Sequence, residues 1–269
     1  MKKLFLISSI LFAAAILLSF LYLSDQQKEI TPQTITEAEK IIGIEFTPAE
    51  RDSMIDALNE QRENYKKIRN YDLPNSAPPS IQFNPLPVGF KFDEKPDEFA
   101  AGDYSSTKMP KNIDDIAFYS IGELAYLLKN KKITSTELTK FYLDRLKKYG
   151  PVLESVITLT EDLALEQAKK ADEEISEGKY RGFLHGIPYG AKDLLSVKGY
   201  KTTWGAEPYK EQVIEEDAAV IKMLENAGAV LAAKLTMGAL AWGDVWFGGK
   251  TRNPWDTTKG SSGSSAGPS

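Results

Sequence analysis

The chain opens on its longest apolar run. Leu4 to Leu23 is interrupted only by Ser8, Ser9, Ser19 and Tyr22, and as a helix it is long enough to cross about 30 Å of hydrocarbon. The run therefore reads as a segment that enters or crosses a membrane. Ala13-Ala14-Ala15 lies inside it and Leu21-Tyr22-Leu23 closes it, which favours an uncleaved anchor over a removed signal peptide. Lys2 and Lys3 precede the run and Ser24-Asp25-Gln26-Gln27 follow it, so the positive flank stays in the cytoplasm and the remainder is exported. The expected protein is anchored by residues 4–23, or is secreted or periplasmic if residues 1–27 are cleaved.

Helical signals come next. Thr36 with Glu39 reads as a capping box, and Thr47-Pro48-Ala49-Glu50 adds proline at the first helical position before Met54 and Leu58. Residues 28–69 are thus expected to form a helical lead-in. Half of the 14 prolines then fall between Tyr71 and Lys111, which predicts a linker or wrapping arm over residues 70–112. From Ile113 the pattern becomes regular. Ser120 with Glu123 and Thr134 with Glu137 open two helices at apolar spacings of three and four, and Pro151 is expected to end the second. Val156-Ile157-Thr158-Leu159 reads as a strand and Glu161–Glu177 as a helix closed by Gly178. Asp217 is expected to cap a further helix stopped by Gly228, and Ala229–Ala233 to follow as a buried strand. Strands alternating with helices argue for an α/β core over residues 113–269.

Composition narrows the chemistry. With 33 Lys+Arg against 38 Asp+Glu, the net charge of −5 offers no broad basic field for a phosphate backbone, so a nucleic-acid partner is not expected. Without cysteine and with His185 as its one histidine, the chain has no thiolate, no disulfide and no histidine-rich metal site. Chemistry must run on Ser, Thr, Lys, Tyr and carboxylates.

Two segments carry it. Leu184-His185-Gly186-Ile187-Pro188-Tyr189-Gly190-Ala191-Lys192-Asp193 sets Lys192 directly after a short strand, where burial would lower the lysine pKa toward that of a general base. The plainer alternative is a surface lysine paired with Asp193. Near the end of the chain, Asn253-Pro254-Trp255-Asp256-Thr257-Thr258-Lys259 leads into Gly260-Ser261-Ser262-Gly263-Ser264-Ser265-Ala266-Gly267. Small residues at this density let backbone and hydroxyls approach a bound group closely, although by composition alone the tract reads as a flexible tail.

Taken with Ser135-Thr136-Glu137-Leu138, Gly228-Ala229-Val230, Lys234-Leu235-Thr236-Met237, Gly248 and Thr251, these segments make residues 120–268 resemble the N-terminal part of the amidase signature family. The resemblance implies an amidase signature fold, a mixed sheet core flanked by helices, and cleavage of carboxamides by a Ser, cis-Ser, Lys triad without metal or cofactor. Lys192 matches the base. Ser261, 69 positions later, matches the bridging serine, with a cis bond expected at Gly260-Ser261 and loop support from Gly260, Ser262 and Gly263. Ser262 is the alternative bridge, and Ser262 and Ser264 are otherwise expected to hydrogen-bond within the loop. The family nucleophile lies about two dozen residues further on, beyond residue 269. The expectation is a catalytic domain cut before its nucleophile, with these 269 residues inactive alone and their strand edges open. A catalytically dead, shortened family member acting as a binding protein is the alternative.

The implied substrate is a small or peptidic amide met outside the cytoplasm. Export argues against transamidation of tRNA-linked amino acids. Gly248-Gly249-Lys250-Thr251 mimics the end of a phosphate-binding loop, but Asp244 occupies the position of that loop's first glycine. His185 is expected to order the turn before Lys192. Trp242, Trp246, Phe247 and Trp255 are expected in the core, with a substrate-pocket role as the alternative.

Overall fold

The computed structural model describes residues 30–74, 77–91 and 102–268, and divides the chain into two units, Met1–Glu94 and Lys95–Ser269. The apolar run Leu4–Leu23 lies outside the described residues. Among those described, no helix is long and apolar enough to cross a membrane.

The first unit holds α1 (Pro32–Ile42) and α2 (Pro48–Arg69). α1 starts earlier than expected, because Thr31 is extended, Pro32 has its φ preset for a helix, and Thr31 Oγ1 accepts from Thr34 N at 3.3 Å. Thr36 is therefore an interior residue whose hydroxyl donates to Pro32 O. Glu39 does not cap; it is buried and accepts from Arg51 Nε and Nη2, both at 2.7 Å, which ties the two helices together. Thr47 and Glu50 form the expected box on α2.

In the second unit a 3-10 turn, Ile113–Phe118, leads into α3 (Ile121–Lys129) and α4 (Ser135–Leu153), capped by Ser120 and Thr134 as expected. Pro151 does not end α4. It lies within the last turn, and the helix stops at Glu154, where a left-handed backbone (φ 49°) sends the N–H back to Gly150 O. A proline removes one donor and crowds the carbonyl four residues before it, but the N–H groups that follow it can still bond, so the helix runs two residues past it. β1 (Val156–Leu159) and α5 (Glu161–Ser176) follow. β2 (Pro188–Lys192) runs on through a long connection to α6 (Ala219–Asn226) and β3 (Val230–Leu235). Asp217 is not the α6 cap. Ala218 holds that position, and the Asp217 carboxylate accepts instead from Lys198 N at 2.8 Å.

The main sheet has the order β1-β3-β2, with β3 antiparallel to β1 and parallel to β2. The central strand is covered on both faces, so Val230–Ala233 read as a continuous apolar run. Val230 and Ala232 pack on Leu143, Ala164 and Ala168 from α4 and α5, and Leu231 packs with Ala191, Val197 and Ile221. A register shift between Tyr189 and Gly190 brings Lys234 opposite Ala191 and Leu235 opposite Lys192. A two-residue pair, β4 (Val245–Trp246) and β5 (Gly249–Lys250), stands apart from the sheet.

Candidate functional site

Lys192 is the last residue of β2, at the carboxyl end of a strand hydrogen-bonded to the buried β3. Open α/β sheets present ligand-binding groups at such ends. The side chain is half-buried, and Nζ donates to Ser264 Oγ at 3.3 Å. Lys192 is thus neither a deeply buried lysine nor a surface partner of Asp193.

Asp193 points to the other side of the strand, as alternation requires. It is fully buried, with Oδ1 2.6 Å from Lys234 Nζ, while Oδ2 accepts from Thr203 N at 2.8 Å and from the Thr203 hydroxyl. Lys234 is equally buried and donates to Lys201 O at 2.9 Å and Thr202 Oγ1 at 3.3 Å. Burial pulls the Lys234 pKa below the ordinary lysine value, and the Asp193 carboxylate opposes it. Reading along the sequence did not single out this pair. Its only local signal is a lysine inside an otherwise apolar strand.

The Gly/Ser tract is anchored along its length. Gly260 bridges Arg252, and Ser261 N donates to Thr251 O at 2.8 Å. Ser262 N donates to Asp244 Oδ2 at 2.9 Å, and Gly267 N to Thr236 O at 2.9 Å. Thr251 is itself fixed by a 2.7 Å bond to Thr236 Oγ1 and by Glu154 O, while the Glu154 carboxylate holds Lys250 N and Arg252. The hydrogen bond to Lys250 N, then the Arg252 guanidinium, hold the Glu154 carboxyl below the usual carboxylate range. This is an ordered strap rather than a flexible tail.

Ser261 does not meet Lys192, since its hydroxyl contacts only Ser262 O at 3.4 Å. The hydroxyl brought to the lysine belongs to Ser264. No peptide bond among the described residues is cis, Gly260–Ser261 included. A cis bond without proline costs about 2.5–4 kcal/mol and needs surroundings that impose it. Here the bonds of Gly260 and Ser261 to the 251–252 backbone hold an extended trans chain. Ser262 takes the unusual conformation instead, at φ 69°.

Beside the strap lies an open depression of about 650 Å³ bordered by Trp242, Asp244, Lys250, Ser262 and Ser264. That is in the range of small-molecule sites. Contrary to expectation, Trp242 and Trp255 are exposed, at 86% and 92%, because both sit in loops with no element packed over them. Trp246 and Phe247 are half-buried against each other, ring centroids 5.0 Å apart. His185 is fully buried and accepts from Arg181 N through Nδ1, with Nε2 3.1 Å from Glu174, so it orders the 181–185 turn. Burial lowers its pKa.

The family model described as Amidase matches residues 137–269. A glutamyl-tRNA(Gln) amidotransferase subunit of Coxiella burnetii is 39% identical over 151 residues, 55% of this chain and 31% of that protein. The corresponding subunit from Methylobacillus flagellatus is 38% identical over 152 residues. Among solved structures, the peptide amidase from Stenotrophomonas maltophilia superimposes with a TM-score of 0.52 and 31% identity over 56% of this chain and 33% of that one. Fatty acid amide hydrolase gives 0.54 and 27% over 57% of this chain and 28% of that one. The chain spans about a third of the length of the curated relatives it matches.

Proposed function

Residues 137–269 belong to the amidase signature family, and on that premise we propose that the protein hydrolyses the C–N bond of a carboxamide. The observation that carries the proposal is the 3.3 Å contact of Lys192 Nζ with Ser264 Oγ at the end of β2. In the proposed reaction neutral Lys192 takes a proton through the Ser264 hydroxyl from a nucleophilic serine, which attacks the amide carbonyl and forms an acyl-enzyme. The relayed proton goes to the departing amine, and water then cleaves the ester. The bridging role assigned from sequence to Ser261 passes in this reading to Ser264, because a relay must touch its base. Gly260, Ser262 and Gly263 keep their supporting role through the backbone of the strap.

The nucleophile is proposed to lie about two dozen residues beyond the bridging serine, in a part of the protein that follows these 269 residues, together with the donors that stabilise the oxyanion. The substrate is proposed to be a small or peptidic amide. Export and anchoring by residues 4–23 remain part of the proposal, and they are why the tRNA-linked substrate named for the amidotransferase subunits is not carried over.

The test begins with the reading frame past codon 269 and ends with ammonia release from a panel of carboxamides by the protein so encoded. Hydrolysis that disappears in Lys192→Ala supports the proposal. Hydrolysis unaffected by Lys192→Ala refutes it, and a stop codon directly after Ser269 would turn the reading to the binding protein.

A further inference from the structure

Among the described residues, Asp193 and Lys234 form the one ion pair with both side chains fully buried. Taking two charges out of water is costly, so such a pair adds little net stability compared with apolar residues of the same size. Its connections suggest a different use. On one side, Asp193 directly follows Lys192, its N–H donates to Leu235 O at 3.0 Å, and its carboxylate is held by Lys234 and Thr203. The end of β2 is thereby gripped from the face opposite the Lys192 side chain.

On the other side, Lys234 holds the 201–205 turn through Lys201 O and Thr202 Oγ1. That turn has no slack: Gly205 is at φ 66°, and a Cβ there would lie 2.3 Å from Met237 O. Trp204 O accepts from Leu240 N at 2.8 Å and Gly205 O from Phe247 N at 3.1 Å, so the turn fixes both ends of the 240–247 segment. Asp244 lies within that segment and holds Ser262 N, two residues before Ser264. One buried pair is thus linked by unbroken contacts to both partners of the Lys192–Ser264 contact.

We propose that Asp193 and Lys234 are positioning residues that set the Lys192–Ser264 separation, Asp193 through the backbone of β2 and Lys234 through the 201–205 turn. The inference rests on Lys192 acting as the base, but its test does not depend on turnover. The readout is the rate at which acetic anhydride modifies Lys192 relative to the exposed Lys179, followed by peptide mass spectrometry at a temperature well below each variant's unfolding midpoint. In the parent protein Lys192 is expected to react more slowly than Lys179, since it is half-buried and hydrogen-bonded, and Ser264→Ala should raise the ratio.

Lys234→Met leaves Asp193 buried without its partner and is expected to lower the midpoint. Asp193→Asn combined with Lys234→Met removes both charges and should fold close to normally. In that double variant the Lys192/Lys179 ratio is expected to rise about twofold, the change that follows if half of the shielding of the Lys192 amine is lost. Thr203→Val, which removes one donor to the same carboxylate and leaves the ion pair intact, is the milder variant and should move the ratio in the same direction. A ratio unchanged in a folded double variant, or in Thr203→Val, overturns the proposal and leaves the pair with a purely structural role. Failure of the amidase reading itself shows separately, as hydrolysis that survives Lys192→Ala.

Discussion

Replacing Ser264 and Ser261 separately by alanine tests which hydroxyl serves Lys192. Both belong to Gly-Ser-Ser triplets three positions apart, so the two changes are chemically identical and differ only in place. Ser264 Oγ is the hydroxyl 3.3 Å from Lys192 Nζ, whereas Ser261 Oγ has only a 3.4 Å contact with its neighbour's carbonyl. Removing a positioned proton-transfer group costs about 10²–10⁴ in rate, or about 3–5 kcal/mol of transition-state stabilisation. Ser264→Ala is therefore expected to lower kcat by at least about a hundredfold with little change in KM. Ser261→Ala loses one long hydrogen bond and should stay within about fivefold of the parent. The assay is steady-state ammonia release by the protein read through codon 269, with the best amide of the panel. Because base and relay act as a unit, Lys192→Ala/Ser264→Ala should lose little more than either single variant. Equal losses in Ser261→Ala and Ser264→Ala, or a larger one in Ser261→Ala, would refute the reasoning.

Other expectations follow from local geometry. Gly260→Ala would set a Cβ 1.9 Å from Asp244 Oδ2 and 2.3 Å from Lys250 Cε, so Asp244 must release Ser262 N; kcat should fall about tenfold while the unfolding midpoint moves little. Gly228→Ala combines φ 82° with a Cβ 2.4 Å from the buried His185 ring, and should destabilise by about 2 kcal/mol in thermal unfolding. Burial holds the His185 pKa below its unfolded value, so the unfolded chain takes up a proton first as pH falls. Stability should decline as pH drops through about 6.5, and His185→Gln should flatten that decline between about pH 7 and 5.5, since the chain has no other histidine. Deleting residues 4–23 should release the protein from the membrane fraction in carbonate extraction; an unchanged distribution would end the anchor reading.

Much of this protein was legible along the chain. The capping boxes at Thr47, Ser120 and Thr134, the strand at Val156–Leu159 and the buried strand read at Ala229–Ala233 are set by spacings of two to four residues, which sequence displays directly. Lys192 at a strand end and the hydroxyl-rich strap were visible for the same reason, as were the family segments in their order. Two local choices were missed because competing signals lay within a turn of each other. Thr31-Pro32 outweighed Thr36, and the turn after Pro151 needed only the donors that proline leaves intact.

What tertiary structure decided is register and partnership. The strap repeats Gly-Ser-Ser, so composition cannot tell Ser261 from Ser264. The placement of the two hydroxyls follows from Thr251, Asp244 and Thr236, which grip the strap from positions 10 to 31 residues away in sequence. Asp193 looked like the natural partner of its neighbour Lys192. Strand alternation sends adjacent side chains to opposite faces, and the shifted pairing of β2 with β3 brings Lys234, 41 positions downstream, to Asp193 instead. Local propensity acts within a few residues. The hydroxyl a lysine meets is set by strands and loops that become neighbours only once the sheet has formed.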